Sequence, residues 1–106
     1  MSDSLNWRIE NGTVAFDGDL NRETLLPFWK QRQKILTSDI HTLNVAHLVR
    51  VDSAGLAMLI HLLADVTQRP QSLKLAGMTE KLQTLAALYN LQQIIEPYLV
   101  SPPDVV

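Results

Sequence analysis

Val51-Asp52-Ser53-Ala54-Gly55-Leu56-Ala57-Met58-Leu59-Ile60-His61-Leu62-Leu63 is the stretch on which the fold turns. Asp52 or Ser53 can accept hydrogen bonds from the free N–H groups of a first helical turn, so Asp-Ser ahead of an apolar run marks a helix start. On a helical wheel Leu56, Leu59, Ile60, Leu63 and Val66 share one stripe, wide enough to cover a sheet. The other side carries Ala54, Ala57, Met58, His61 and Asp65, with Leu62 at its border. Its N-terminal half is small or apolar where a solvated helix would carry Lys and Glu. A helix apolar nearly all round is normally covered on both sides. In so thin a domain the second cover is expected to be another protein, with Met58 as an adaptable anchor. The competing expectation is that the first or third helix of the same chain covers that face.

Working outward, Leu5, Trp7 and Ile9 alternate with Asn6, Arg8 and Glu10; Asn11-Gly12 follows; Val14 and Phe16 then alternate with Thr13 and Ala15. This is the pattern of two half-buried strands joined by an Asn-Gly hairpin turn. Leu25, Leu26, Phe28, Trp29, Ile35 and Leu36 recur at roughly helical spacing, and Pro27 restricts the regular helix to a start near Thr24, because proline is tolerated only in the first turn. Leu43–Leu48 alternates as a strand, and Val49–Asp52 reads as the connection to the second helix, Ser53–Gln68. Leu73–Ala76 is a short strand broken by Gly77. A third helix runs from an N-cap at Thr79 through Leu82, Leu85, Ala86 and Tyr89 to a left-handed C-cap at Asn90. Alternating strands and helices predict an α/β domain, a mixed sheet of about four to five strands covered by three to four helices. Residues 1–96 are expected to form that single domain, and 97–106, with Pro97 and Pro102-Pro103, a tail.

Totals narrow the function. With 106 residues, 46% hydrophobic and 19% charged, the chain suits one core with little area left for a deep substrate cavity. A net charge of −2 and nine scattered Lys and Arg give no basic face for nucleic acid. Lack of cysteine removes disulfides and thiolate sites and suits a reducing compartment. The start, Met1 to Arg8, lacks the layout of a secretory signal, and the longest apolar stretch, Ala54–Ala64, interrupted by His61, is far short of the ~20 residues that span a bilayer. A cytoplasmic protein is expected, linked to a membrane only through partners.

Catalytic chemistry finds no support in the spacing. His61 lies eight residues beyond Ser53 on one helix, about 12 Å away, so it cannot act as the base for that hydroxyl. His41 and His47 read as surface or capping residues, and no Gly-x-Ser-x-Gly elbow is present. The three histidines lack metal-ligand spacing, and Gly12, Gly18, Gly55 and Gly77 build no phosphate-cradling loop. Neither metal nor cofactor is expected.

Asp52-Ser53-Ala54-Gly55-Leu56 resembles the signature of STAS domains, in which Asp, then Ser or Thr, any residue, Gly, and Leu or Val follow one another. Phe16-Asp17-Gly18-Asp19-Leu20-Asn21 resembles that family's Gly-x-Leu-Asp element, with Asn21 replacing the usual Asp. Leu25-Leu26-Pro27-Phe28-Trp29, Arg50–Ser53, Leu56–Leu62 and Leu85–Leu91 are similar to the branch of small STAS subunits that serve phospholipid ABC transporters of the Mla system. The resemblance implies a non-catalytic subunit that binds an MlaF-like ATPase beneath an MlaE-like permease, in an assembly with an MlaD-like substrate-binding subunit, preserving outer-membrane lipid asymmetry in Gram-negative bacteria. It also implies that Ser53 lies on the helix that faces the partner, so that with the wheel the expected contact set is Ser53, Ala54, Ala57, Met58 and His61, while Asp52, Gly55 and Gly18 hold the motifs. In the sigma-regulating branch the position of Ser53 is a kinase's phosphoserine, so the alternative is an anti-sigma-factor-antagonist type of switch controlled by phosphorylation of Ser53.

Overall fold

The computed structural model of the chain describes residues 4–64 and 73–99. Strands β1 (Leu5–Glu10) and β2 (Thr13–Leu20) pair antiparallel, with Trp7 opposite Phe16 and Glu10 opposite Thr13. The expected turn joins them: Asn11 and Gly12 take φ of 50° and 78°, the pair of positive values that matches the twist of a two-residue hairpin. β3 (Thr42–Val51) lies parallel to β2, and β4 (Lys74–Ala76) parallel to β3, giving the order β1-β2-β3-β4. Helix α1 (Leu25–Ile35) connects β2 to β3, and α2 (Ser53–Ala64) follows β3. After β4 come α3 (Glu80–Leu88), the single turn α4 (Gln92–Ile95) and a 3-10 turn, Glu96–Tyr98. The expected mixed α/β architecture is thus present, with four strands among the described residues.

One face of the sheet carries the core. Val14, Phe16 and Leu20 of β2, Leu43, Val45 and Leu48 of β3 and Leu75 of β4 are buried, while Asp17, Ala46, His47 and Lys74 are exposed. Against the apolar face pack Phe28 of α1, Leu56, Leu59 and Leu63 of α2, Leu82 and Ala86 of α3, and Ile95. Phe28 sits edge-on to both Phe16 and Trp7, at centroid separations of 4.9 and 5.1 Å, the arrangement that the ring quadrupoles favour.

Several expectations need correction. β3 does not stop at Leu48 but continues to Val51, opposite Leu20. Its register against β2 shifts twice, between Ala15 and Asp17 and again between Gly18 and Asp19, so β3 carries an extra residue each time. The alternation therefore loses phase, and Val45 and Leu48, three apart, both point inward. The Asn44 side chain steadies the first shift by accepting the Ala46 N–H at 2.9 Å. Ile9, expected inward with Leu5 and Trp7, is 52% exposed on the edge strand. Beyond the boundary drawn at residue 96, Pro97 and Tyr98 form the 3-10 turn and Leu99 bridges to Leu75. The predicted continuation of α2 to Gln68, with Asp65 and Val66, and the tail from residue 100 lie outside the described residues.

The third helix follows its signals closely. Thr79 caps it, its hydroxyl accepting the Leu82 N–H at 3.2 Å. Asn90 takes φ of 58°, and the Leu91 N–H closes on the Ala86 carbonyl at 2.8 Å, so the left-handed C-cap is as expected.

Candidate functional site

The start of α2 is knitted to the loop after β2. Asp52 is the cap: one carboxylate oxygen accepts the Gly55 N–H at 2.8 Å and the other the Arg22 N–H at 3.2 Å, while the Asp52 N–H donates to the Leu20 carbonyl. Asn21 organises the other side, its side-chain oxygen accepting the N–H groups of Glu23 and Thr24, both at 2.9 Å. The Thr24 hydroxyl in turn donates to the Asp19 carbonyl at 2.8 Å. Asparagine supplies here the acceptor oxygen that an aspartate would, so the substitution at residue 21 keeps the turn. Gly18 stands opposite Leu5 at the second register shift, with φ of 98°. Asp52 being the cap, Ser53 occupies the first helical position, exposed, beside Asn21, Arg22, Glu23 and Ala54 in a shallow hollow.

The rotation of α2 about its axis is fixed by Gly55. A Cβ there would fall on the carbonyl oxygen and side chain of Leu20, so the helix backbone lies directly against the end of β2. Gly55, Leu56, Met58, Leu59, Leu62 and Leu63 are buried as a result; Ser53, Ala57, His61 and Ala64 are exposed, and Ala54 and Ile60 are half-buried between the two sets. This corrects the wheel derived from the sequence. Met58, expected to anchor a partner, is 3% exposed and belongs to the core, while Ile60, expected in the core stripe, reaches the boundary. Hydrophobicity is nearly uniform around this helix, so periodicity alone could not set the rotation; a close backbone approach at glycine could.

Of the residues expected at a partner face, the structure leaves Ser53, Ala54, Ala57 and His61 on one side of α2 and withdraws Met58. It adds two from α1. Trp29 is half-buried with its ring edge-on to His61 at 6.3 Å, and the Arg32 guanidinium lies 3.9 Å from the centre of the same ring while donating to the Trp29 carbonyl at 2.7 Å. Trp and Arg three apart on a helix are neighbours on its surface, a local signal for stacking that the helical spacing of Trp29 with Leu25, Leu26 and Phe28 does not bring out. The outer face of α2 is thus continued by an aromatic platform on α1.

Among the described residues no hydrogen bond joins the Ser53 side chain to a base, and His41 engages the neighbouring Thr42 hydroxyl at 2.8 Å instead. No group of three or more His, Cys, Asp or Glu among the described residues could hold a metal ion. No helix among them is long and apolar enough to cross a membrane.

Comparison with known proteins agrees with this arrangement. The family model described as Mlab, STAS domain matches residues 4–100. The chain is similar to the intermembrane phospholipid transport system binding protein MlaB of Escherichia coli K12 and of Shigella flexneri, 36% identical over 97 residues in each case, covering 92% of this chain and 99% of the relative. It is 32% identical over 104 residues to the protein of the same name from Haemophilus influenzae, covering 90% of this chain and 99% of that one. The Asp52 cap, the Gly55 contact and the strand order are therefore those of a chain that belongs to the MlaB-type STAS domain family.

Proposed function

We propose that this chain is a non-catalytic accessory subunit of a phospholipid ABC transporter of the Mla type, and that it binds the MlaF-like ATPase through the outer face of α2. In this reading Ser53, Ala54, Ala57 and His61 meet the partner, and Trp29 with Arg32 borders the contact. An MlaE-like permease and an MlaD-like subunit complete the assembly, and the chain sits at the cytoplasmic side of the inner membrane through them. The names of its relatives support membership of the transport system.

The observation that carries the docking reading is the composition of the exposed half of α2: Ala54, Ala57, Ala64, Ser53 and His61, without a single Lys, Arg, Asp or Glu. Water-facing helix surfaces are ordinarily rich in those residues, and interface centres are depleted of them. Small side chains also let a partner's backbone come close. Affinity purification of the tagged protein from its native cell, followed by mass spectrometry, tests this: an ABC ATPase in stoichiometric yield is expected, and its absence overturns the reading.

A second reading draws on one observation, the exposed hydroxyl of Ser53 in the first turn of α2. Phosphate there would be favoured by the helix dipole in the free domain and would be desolvated against an uncharged partner, weakening docking. A serine kinase recovered in the same purification, with phosphate mapped to Ser53, would favour this switch.

A further inference from the structure

The sheet ends on β1 at one side and on β4 at the other. β4 is three residues long, and the bridge between Leu75 and Leu99 occupies part of its outer side. β1 is longer and barer: its pairing with β2 runs unbroken from Leu5 to Glu10, and among the described residues no strand covers its outer edge. Edge strands are ordinarily blunted by proline, by lysine, by a bulge or by brevity. Leu5-Asn6-Trp7-Arg8-Ile9-Glu10 uses none of these devices. The Asp19 N–H donates to the Ser4 carbonyl at 2.9 Å. Bonding alternates along an antiparallel ladder, so Asn6, Arg8 and Glu10 turn their backbone groups to β2, and Leu5, Trp7 and Ile9 turn theirs to the open edge. The same three residues carry the apolar side chains. Leu5 and Trp7 are half-buried against the core, and Ile9 is 52% exposed. Arg8 and Glu10 stand together on the opposite face, 3.7 Å apart.

We propose that β1 pairs antiparallel with β1 of a second copy of this chain, about a two-fold axis that passes through the sheet at Trp7, so that the sheets of the two copies become one. A contact between identical surfaces must complement itself, and this strand does. With Trp7 opposite Trp7 of the second copy, Leu5 falls opposite Ile9 and Asn6 opposite Arg8. Apolar side chains then meet on one face, an amide meets a guanidinium on the other, and the open backbone groups of Leu5, Trp7 and Ile9 find those of Ile9, Trp7 and Leu5. Other registers fit worse. An axis at Arg8 sets two guanidinium groups against each other, an axis at Ile9 runs the ladder into the Asn11-Gly12 turn, and an axis between residues sets the apolar side of one copy against the polar side of the other. About five residue pairs bury less than the ~1,200 Å² of lasting complexes, so the dissociation constant is expected on the order of 10 to 100 μM. Neither the seam nor its test involves the outer face of α2, so this pairing and the ATPase docking stand or fall separately.

Sedimentation velocity of the purified full chain, from about 5 μM to about 1 mM, tests the pairing, and the mass is expected to rise from one chain to two across that range. Ile9→Lys and Asn6→Lys should each weaken the dimer about tenfold. Asn6 lies opposite Asp17 within the chain, so Asn6→Lys gains a counter-charge in the monomer while facing Arg8 of the second copy in the dimer; its melting temperature should hold. With the axis at Arg8 the same lysine would face Glu10 and tighten the dimer, a result that overturns the register proposed. The chain has no cysteine, which allows a second readout. Leu5→Cys mixed with Ile9→Cys should oxidise to a disulfide-linked dimer, because opposed residues lie within bridging distance, and Ile9→Cys alone should not. Should Ile9→Lys lower its own melting temperature, Asn6→Lys and the cysteine mixture decide. A wild-type chain that stays monomeric throughout overturns the proposal, and slow hydrogen exchange at the Leu5, Trp7 and Ile9 amides of that monomer would give the edge to the chain's own tail. Wild-type dimerisation in both lysine variants overturns it equally, by placing the contact on another surface.

Discussion

Along α2 one face sets Leu56, Met58, Leu59, Leu62 and Leu63 against the sheet, while the other turns Ser53, Ala57, His61 and Ala64 outward, with Ala54 and Ile60 between. Neither face carries a Lys, Arg, Asp or Glu. What distinguishes them is side-chain size. The inner residues are long enough to fill the space above β2 and β3, and the outer ones are short except for His61, which leans on Trp29. Large apolar side chains go where the chain itself closes over them, and in the proposed docking the small uncharged ones go where a second surface approaches closely. A helix with this asymmetry needs a pivot that states which side is inner, and Gly55 against Leu20 is that pivot.

The comparison breaks most severely at the pivot. Gly55→Val places atoms on a backbone carbonyl that cannot rotate away, so α2 must lift from β2; a loss of roughly 3 kcal/mol or more is expected by urea denaturation, at the upper end of overpacking costs. Stability within 1 kcal/mol of wild type would show that the helix does not rest there. Next comes the inner face itself. Met58→Ala should cost about 2 to 4 kcal/mol, the range for truncating a buried long side chain, and a neutral result would return Met58 to the partner side. Smaller still is the cap. Asp52→Ala frees the N–H groups of Gly55 and Arg22, for about 1 to 2 kcal/mol, and Asp52→Asn should recover most of it, since an amide oxygen can still accept.

Which parts of this arrangement could be read from residues alone follows from how local their causes are. The Asn11-Gly12 turn, the Thr79 cap, the left-handed Asn90 and the first-turn position of Pro27 each depend on the φ preference or hydrogen-bonding capacity of a few neighbouring residues, and each stands where the pattern placed it. The end of β3 does not, because its two register shifts are set by pairing with β2 and leave Val45 and Leu48 in phase only in three dimensions. The rotation of α2 was illegible for the same kind of reason: it depends on Leu20, more than thirty residues away, and Gly55 registered as a motif letter rather than as a contact. Which side chains stay out of the core was legible at Ser53, Ala54, Ala57 and His61 and illegible at Met58, and the stacking of Trp29 and Arg32 beside them needs α1 to lie next to α2.

The outer face gives the smallest effect on stability and the sharpest on binding. Ala57 is exposed at the middle of it, flanked along the helix by Ser53 one turn before and His61 one turn after. Ala57→Glu adds a side chain that in the free protein extends into water and keeps helix propensity nearly unchanged, so less than about 0.5 kcal/mol of stability is expected to go. Against a close-packed, uncharged partner the same carboxylate has neither room nor a counter-charge, and binding is expected to fall more than a hundredfold, read by copurification and by calorimetry. Stability separates the outcomes that matter. A folded Ala57→Glu protein that still binds the proposed ATPase partner fully would mean that small size on this face serves nothing outside the molecule, whereas lost binding with the melting temperature intact assigns the two faces of α2 to two different proteins.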